Sequence, residues 1–153
     1  LVLGGVADDE RAGRDLLLDS IATGRAIDTF RTWVSAQGGD PAVADNLSLL
    51  PLGSVTRTVT ARTNGWVTGF DAEGVGRSAM VLGAGRAHKE DPIDPGAGLT
   101  LDVKTGDRVS IGDSLGTLYT NDERTLDDAE QRLVAAVLIG AEEPEIPPLF
   151  HEV

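Results

Sequence analysis

The chain has 153 residues, of which 41% are apolar and 25% charged, enough for one globular domain or a small one with an appendage. The formal charge of −12, with thirteen scattered Lys and Arg residues, argues against a nucleic-acid surface, which needs clustered basic side chains. The absence of Cys excludes disulfides, thiolate zinc sites and a Cys nucleophile together and suits the cytoplasm, while no apolar run is long enough for a transmembrane helix.

The opening Leu1-Val2-Leu3-Gly4-Gly5 has neither a basic flank nor a small-residue cleavage site, so it is not a signal peptide. The lack of an initiator Met points to a natural chain that began upstream. Asp8-Asp9-Glu10 puts carboxylates where a helix amino terminus favours them, with Leu17 and Ile21 one turn apart beyond. Gly24 interrupts, and Ala26, Ile27, Phe30, Trp33 and Val34 mark one face of a second helix. Gln37-Gly38-Gly39-Asp40-Pro41 ends it. Residues 1–40 therefore read as the tail of a helical layer, too short to bury both of its faces alone.

Residues 41–54, with Pro41, Pro51 and Gly53, read as a linking loop. From Val55 the period changes to two: Thr56, Thr58 and Thr60 alternate with Val55, Arg57, Val59 and Ala61, which predicts a half-buried strand. Asn64-Gly65 signals a hairpin that returns along Trp66–Phe70. Val75, Ala79 and Leu82 predict a short helix ended by Gly83-Ala84-Gly85, and Arg86–Gly98 reads as an exposed loop carrying Pro92 and Pro95.

Leu99, Leu101 and Val103 alternate as a strand. A six-residue echo follows, Gly106-Asp107-Arg108-Val109-Ser110-Ile111 and then Gly112-Asp113-Ser114-Leu115-Gly116-Thr117. Each Gly-Asp predicts a tight turn with the next apolar residue pointing inward, and Leu118-Tyr119 continues the last strand. Leu126, Ala129, Leu133, Ala136 and Val137 give an amphipathic helix with Thr125 as its cap and Gly140 as its stop. Pro144, Pro147 and Pro148 keep the tail extended, and Leu149-Phe150 can add a last short strand. The fold class is α+β, a helical lead-in followed by strands with two packed helices.

Chemical motifs are sparse. Gly83-Ala84-Gly85-Arg86-Ala87-His88 begins like a dinucleotide fingerprint, but His88 stands where the third Gly belongs and a helix precedes it, so a helix-ending turn is the simpler reading. The two histidines, His88 and His151, have no ligand spacing around them and read as solvent-facing. No cofactor and no metal site is expected. Glu142, Glu143 and Glu145 read as a solvated acidic stretch, and calcium-loop, serine-nucleophile and P-loop patterns are missing.

Val103-x-x-Gly106-Asp107-x-Val109-x-x-Gly112-Asp113-x-Leu115 resembles the strand–turn–strand of biotinyl and lipoyl carrier domains. Those acylate a Lys at a hairpin tip. The two lysines here, Lys89 in His-Lys-Glu and Lys104 in Val-Lys-Thr-Gly, lie in neither carrier context, so modification of either is not expected.

Three segments in order resemble the carboxy-terminal region of thymidine and pyrimidine-nucleoside phosphorylases. They are Ser20–Ala26 with Phe30 and Ala36–Pro41; Val59–Ala61, Gly65–Val67, Val75-Gly76 and Leu82–Arg86; and Ile93-Asp94, Gly98-Leu99, Lys104–Val109 and Gly112–Leu115. The resemblance implies that residues 1–40 are a helical tail of the α/β phosphate-binding domain of a larger parent, with 41–54 a linker. Residues 55–153 would then be the carboxy-terminal α/β-hammerhead domain. It further implies a cytoplasmic, homodimeric parent that splits pyrimidine nucleosides with phosphate into free base and pentose 1-phosphate. The family's phosphate-gripping Lys-His-Ser is absent from this sequence, so no catalytic residue is carried over and the chain alone is expected to be inactive. What remains is a loop expected to face the active site, with Gly83 and Gly85 as its flexible end and Arg86, His88 and Lys89 as its side chains able to carry positive charge. Its partners would be the remainder of the parent chain, phosphate and a nucleoside, with no nucleic acid and no membrane. A carrier or adaptor domain without a modified lysine, or the equivalent part of an AMP phosphorylase, are the other readings.

Overall fold

A computed structural model describes residues 1–146; Pro147, Pro148, the strand expected at Leu149-Phe150 and the exposure expected of His151 lie outside the described residues. The chain forms two compact units, Leu1–Leu50 and Pro51–Val153.

The first unit holds α1 (Glu10–Ala22) and α2 (Arg25–Ala36). Asp9 caps α1, its carboxylate accepting from Ala12 N at 2.7 Å, and supplies one of the partners that free helix-end amides need. Gly24, at φ 80°, turns the chain straight into α2. The segment expected to be loop contains two 3₁₀ turns, Pro41–Ala44 and Leu47–Leu49, capped by Asp40 and Asn46. Arg31 ties this segment back to α2 by pairing with Asp28 and Asp45, and holds the Asp45 carboxyl below its usual value. Gly13 is the single buried residue of the unit. Ile21, from the spacing read for the first helix, is 69% exposed, and Phe30 and Trp33, from the face read for the second, are 41% and 58% exposed.

The second unit carries the core. Strand β1 (Val55–Thr60) runs antiparallel to β5 (Ser114–Thr120), which also pairs with β3 (Gly98–Leu101). A second antiparallel sheet has β2 (Gly65–Phe70) at its centre, between β4 (Arg108–Val109) and β6 (Val137–Gly140). Two helices pack on one another and on the strands: α3 (Ala72–Ala79), extended by a wider turn over Met80–Ala84, and α4 (Leu126–Ala136). They are stitched by Ser78, whose buried Oγ donates to the Ala129 carbonyl at 2.8 Å. Val59, Val67, Leu115, Leu118, Leu126 and Leu133 are wholly buried, and burying side chains of this size contributes roughly 1.5–3 kcal/mol each. The class is α+β, as expected.

Four expectations need correction. Asn64-Gly65 is not a hairpin: β1 and β2 belong to different sheets. The turn that joins such a hairpin needs positive φ at both central residues, and neither has it. A Cβ on Gly65 would overlap the Gly140 carbonyl oxygen, so Gly serves close approach to β6 here. The last helix stops at Ala136, and Val137–Gly140, with its β-branched Val and Ile, is a strand. Thr125 does not cap α4 through its side chain. It donates to the Asp122 carbonyl at 2.7 Å, and Asp122 caps the preceding 3₁₀ turn, accepting from Arg124 N. Leu101 is 39% exposed although Val103 is buried, because β3 ends at Leu101 and the alternation does not continue through it.

The Gly-Asp echo forms two matching turns. Gly106 and Gly112 sit at φ 96° and 95°, where only Gly is unstrained. Asp107 Oδ2 accepts from Lys104 N at 2.7 Å and Asp113 Oδ2 from Ser110 N at 2.8 Å. Val109 and Leu115, next along each turn, are 3% and 1% exposed.

Candidate functional site

The loop leaving α3 is the one segment where the sequence gathers candidate binding side chains. Its first end is set by the helix geometry: the turn Met80–Ala84 closes at Gly83, φ 113°, and Gly85 lies so close to Met80 that a Cβ would stand 3.0 Å from Met80 Cγ. Its far end is clamped. Asp94 N donates to the Gly83 carbonyl at 2.9 Å, so the loop closes on its own base. The Asp94 carboxylate accepts from Asn121 Nδ2 at 2.8 Å and from Gly96 N at 2.9 Å. Asn121 in turn accepts from Ser54 N at 2.9 Å. These bonds, the Asn121 side chain first, hold the Asp94 carboxyl below its usual value.

Inside the loop a turn spans His88–Asp91. Asp91 N donates to the His88 carbonyl at 3.1 Å, and the Asp91 carboxylate accepts from His88 N at 2.8 Å and Ala87 N at 3.2 Å. Arg86, His88 and Lys89 are all exposed, and among the described residues none is in an ion pair. The same loop also carries Glu90, Asp91 and Asp94. Arg86 and Lys89 against these three carboxylates leave residues 86–94 one unit negative with His88 neutral. A cationic patch here is therefore local to the Arg86–Lys89 arm, and depends on Asp91 and Asp94 being turned inward to backbone and Asn121.

Arg86 lines a shallow depression with Glu73, Arg77, Met80 and Ala87. Arg77 is engaged by Glu73 at 2.6 Å, one helical turn earlier, which leaves Arg86, among the described residues, as the free cation of that hollow. The other flank of the loop, with Val81, Gly83, Pro92 and Asp94, shares a hollow with Asn121 and Thr125. Asp122 is held down to about 2 by its hydrogen bonds to Arg124, so its wall of that hollow is an anion at all ordinary pH. Another hollow, beside α1, presents Asp8, Asp15 and Asp19 with Val6 and Leu16 and no cation, which makes it unsuited to phosphate.

Thus Gly83, Gly85, Arg86, His88 and Lys89 lie on one continuous segment, with Gly83 bonded to the far end and the Arg86, His88 and Lys89 side chains exposed. The Asp94–Asn121 clamp was not legible beforehand, because the two residues lie 27 positions apart and Asn121 belongs to no motif. Lys104 opens the first Gly-Asp turn, exposed, with Asp107 accepting from its backbone N–H. Among the described residues no three His, Cys, Asp or Glu side chains cluster to hold a metal, and no helix is long and apolar enough to cross a membrane.

Residues 66–140 match the family model described as the pyrimidine nucleoside phosphorylase C-terminal domain. The matched span runs from Trp66 in β2 to Gly140, the last residue of β6, and so includes α3, the loop, both Gly-Asp turns and α4. A pyrimidine-nucleoside phosphorylase of Geobacillus stearothermophilus is 41% identical over 139 residues, covering 91% of this chain and 32% of that protein. Pyrimidine-nucleoside phosphorylases of Staphylococcus epidermidis and Staphylococcus aureus are each 35% identical over all 153 residues, which span 35% of each relative. The chain spans about a third of the length of these curated relatives.

Proposed function

This chain belongs to the pyrimidine-nucleoside phosphorylase family, whose C-terminal domain it carries, and from that premise we propose that it is a non-catalytic part of a pentosyltransferase. The parent enzyme would let phosphate attack C1′ of a pyrimidine nucleoside, releasing free base and leaving pentose 1-phosphate. The observation that carries this reading is the combination of full coverage on this side with one-third coverage on the relatives' side. Phosphorolysis needs dense cationic donors around phosphate and a developing oxocarbenium. The described residues offer isolated cations instead, most of them paired with carboxylates.

On this reading residues 1–40 belong to the phosphate-binding α/β domain, and the exposed apolar side chains Ile21 of α1 and Phe30 and Trp33 of α2 are left for the parent's other segments to cover. The remainder of that chain is the first partner; a homodimeric, cytoplasmic parent is part of the same proposal. The loop 86–94 would lie at the cleft and present Arg86 and Lys89 to an anionic substrate, with His88 beside them. Its closed base at Gly83–Asp94 supports movement of the arm as a unit. The carrier-type reading gains nothing from the turns, since Lys104 begins a Gly-Asp turn whose partner position is matched by Ser110, a residue with no such chemistry.

The test is a chimera. The Geobacillus stearothermophilus relative, with its matching third replaced by this chain, should convert uridine and phosphate to uracil, while the isolated chain should release no base above a buffer control. A folded chimera without turnover, or clear turnover by the repurified chain alone, would overturn the assignment.

A further inference from the structure

With the hairpin role gone, Asn64-Gly65 is left with an Asn tied to the fold through its side-chain oxygen alone. We propose that Asn64 is a site of covalent modification, where the chain loses a side-chain amide by attack of its own backbone. Asn64 is exposed, and its Oδ1 accepts from Ile111 N at 2.8 Å. Its Nδ2 makes no hydrogen bond among the described residues, so nothing holds the leaving group. The nucleophile is the amide nitrogen of Gly65, which has no side chain to obstruct the approach. Gly65 begins β2 and is paired with Val109 in a ladder of only two residue pairs, Gly65–Val109 and Trp66–Arg108, the kind of short ladder end that opens locally.

In the reaction the Gly65 nitrogen gives its proton to hydroxide and bonds to Cγ of Asn64. The Ile111 N–H already points at the oxygen on which negative charge develops, as a single donor does in an oxyanion site. The Cγ–Nδ2 bond then breaks as Nδ2 takes a proton from water, so that ammonia leaves and hydroxide is regenerated, giving a five-membered imide. Water opens the imide at either carbonyl, to aspartate or to isoaspartate. No oxidant or enzyme is needed.

The two products differ in consequence. Aspartate at this position keeps an acceptor for Ile111 N and adds one negative charge. Isoaspartate inserts a methylene into the backbone immediately before Gly65, whose Cα lies against the Gly140 carbonyl with no room for a Cβ. That branch would push β2 away from β6, so the junction between the two sheets carries a slow chemical clock.

The chain has three asparagines, and Asn46 and Asn121 precede Leu47 and Asp122, whose side chains obstruct the same attack, so they are internal controls. Purified chain should be incubated at mildly alkaline pH and digested, and each Asn peptide followed by mass, with isoaspartyl methyltransferase marking the isoaspartate fraction. Acid should accumulate at position 64 several-fold faster than at 46 or 121, and Asn64→Gln should abolish the fast component. Equal rates at the three sites, or a folded Asn64 that stays intact while the urea-unfolded chain loses it, would sink the proposal.

Discussion

Val67 and Gly106 hold one another through the backbone: Gly106 N donates to the Val67 carbonyl at 2.8 Å, while Val67 N donates to the neighbouring Asp107 carbonyl, also at 2.8 Å. Six residues away on each segment the arrangement repeats. Gly112 N donates to the Ala61 carbonyl at 2.9 Å, and Ala61 N to the Asp113 carbonyl at 2.8 Å. The two Gly-Asp turns are thus equivalent clamps on the two ends of Ala61–Val67. They should also be equivalent in energy. Gly112→Ala meets no atom but must hold φ 95°, a conformation costing an L residue roughly 1–2 kcal/mol. Gly106→Ala at φ 96° meets the end of the flexible Ile146 side chain as well, which can move aside. Urea unfolding followed at Trp66 in a Trp33→Phe background should show similar losses for the two variants; a loss at Gly106 several times larger would mean that the turns are not equivalent.

One buried hydroxyl bridges α3 and α4 across their packed faces. Ser78→Ala removes the donor to the Ala129 carbonyl without creating a void large enough for water. We expect a loss of about 1 kcal/mol, the net value of one hydrogen bond, since the Ala129 carbonyl lies inside α4 and keeps its place in the helical ladder. Leu133→Ala, which empties a fully buried site on the same helix pair, should cost ~2–5 kcal/mol. Chemical denaturation of both variants checks the order, and an equal effect would mean that the helix pair is held by the serine more than by packing.

Acid should loosen the loop base before the core. The Asp94 and Asp122 carboxyls are held below their ordinary 3.8, Asp122 at about 2. A folded-state value below the unfolded one gives stability that is complete above about pH 4 and is lost as pH falls through the folded value. For Asp122 the loss therefore runs from about pH 4 down to about pH 2, and for Asp94 in the same direction. Amide exchange of Gly96, whose N–H binds the Asp94 carboxylate, should accelerate across this window relative to Val59 in β1. Asp94→Asn should flatten that response at Gly96.

The loop arm bears on the phosphorylase reading directly. In the chimera, Arg86→Ala with Lys89→Ala should raise the apparent KM for phosphate or nucleoside by several-fold and leave kcat and the unfolding midpoint near their starting values. Removing two exposed cations that pair with nothing in the described chain should not cost stability. In the isolated chain, residues 86–91 should be the fastest-exchanging internal segment. Unchanged kinetics in the double variant would reduce the arm to a solvated surface loop.

What the sequence made legible follows from how local each signal is. The Gly-Asp echo, the helix start at Asp8-Asp9-Glu10 and the alternation at Val55–Thr60 are settled within a few residues by φ, a side-chain acceptor or the pleat, and each is found in place. Pairing is not local. Asn64-Gly65 carries the composition of a hairpin, yet β1 found β5, some sixty residues on, because Val59 and Leu118 gain burial there. Val137–Gly140 completes a helical period but has β6's place open beside β2, and tertiary pairing overrode propensity. The candidate loop was visible as a Gly-flanked polar stretch. Its inward-turned Asp91 and Asp94 were not, since both bonds reach backbone or an asparagine with no motif.

The chain's two tryptophans fall one in each compact unit, Trp33 on α2 and Trp66 on β2. Trp33 is 58% exposed; Trp66 is half-buried in a sheet, with the Arg108 guanidinium 5.9 Å from its ring centre. Emission from the intact chain is therefore a sum of two reporters in different surroundings, a red-shifted one on a bare helix face and a bluer one in the strand core. Covering the helices would move only the first, and melting the sheets would move only the second. With Trp66→Phe the remaining colour reads out whether anything has come to rest on α2.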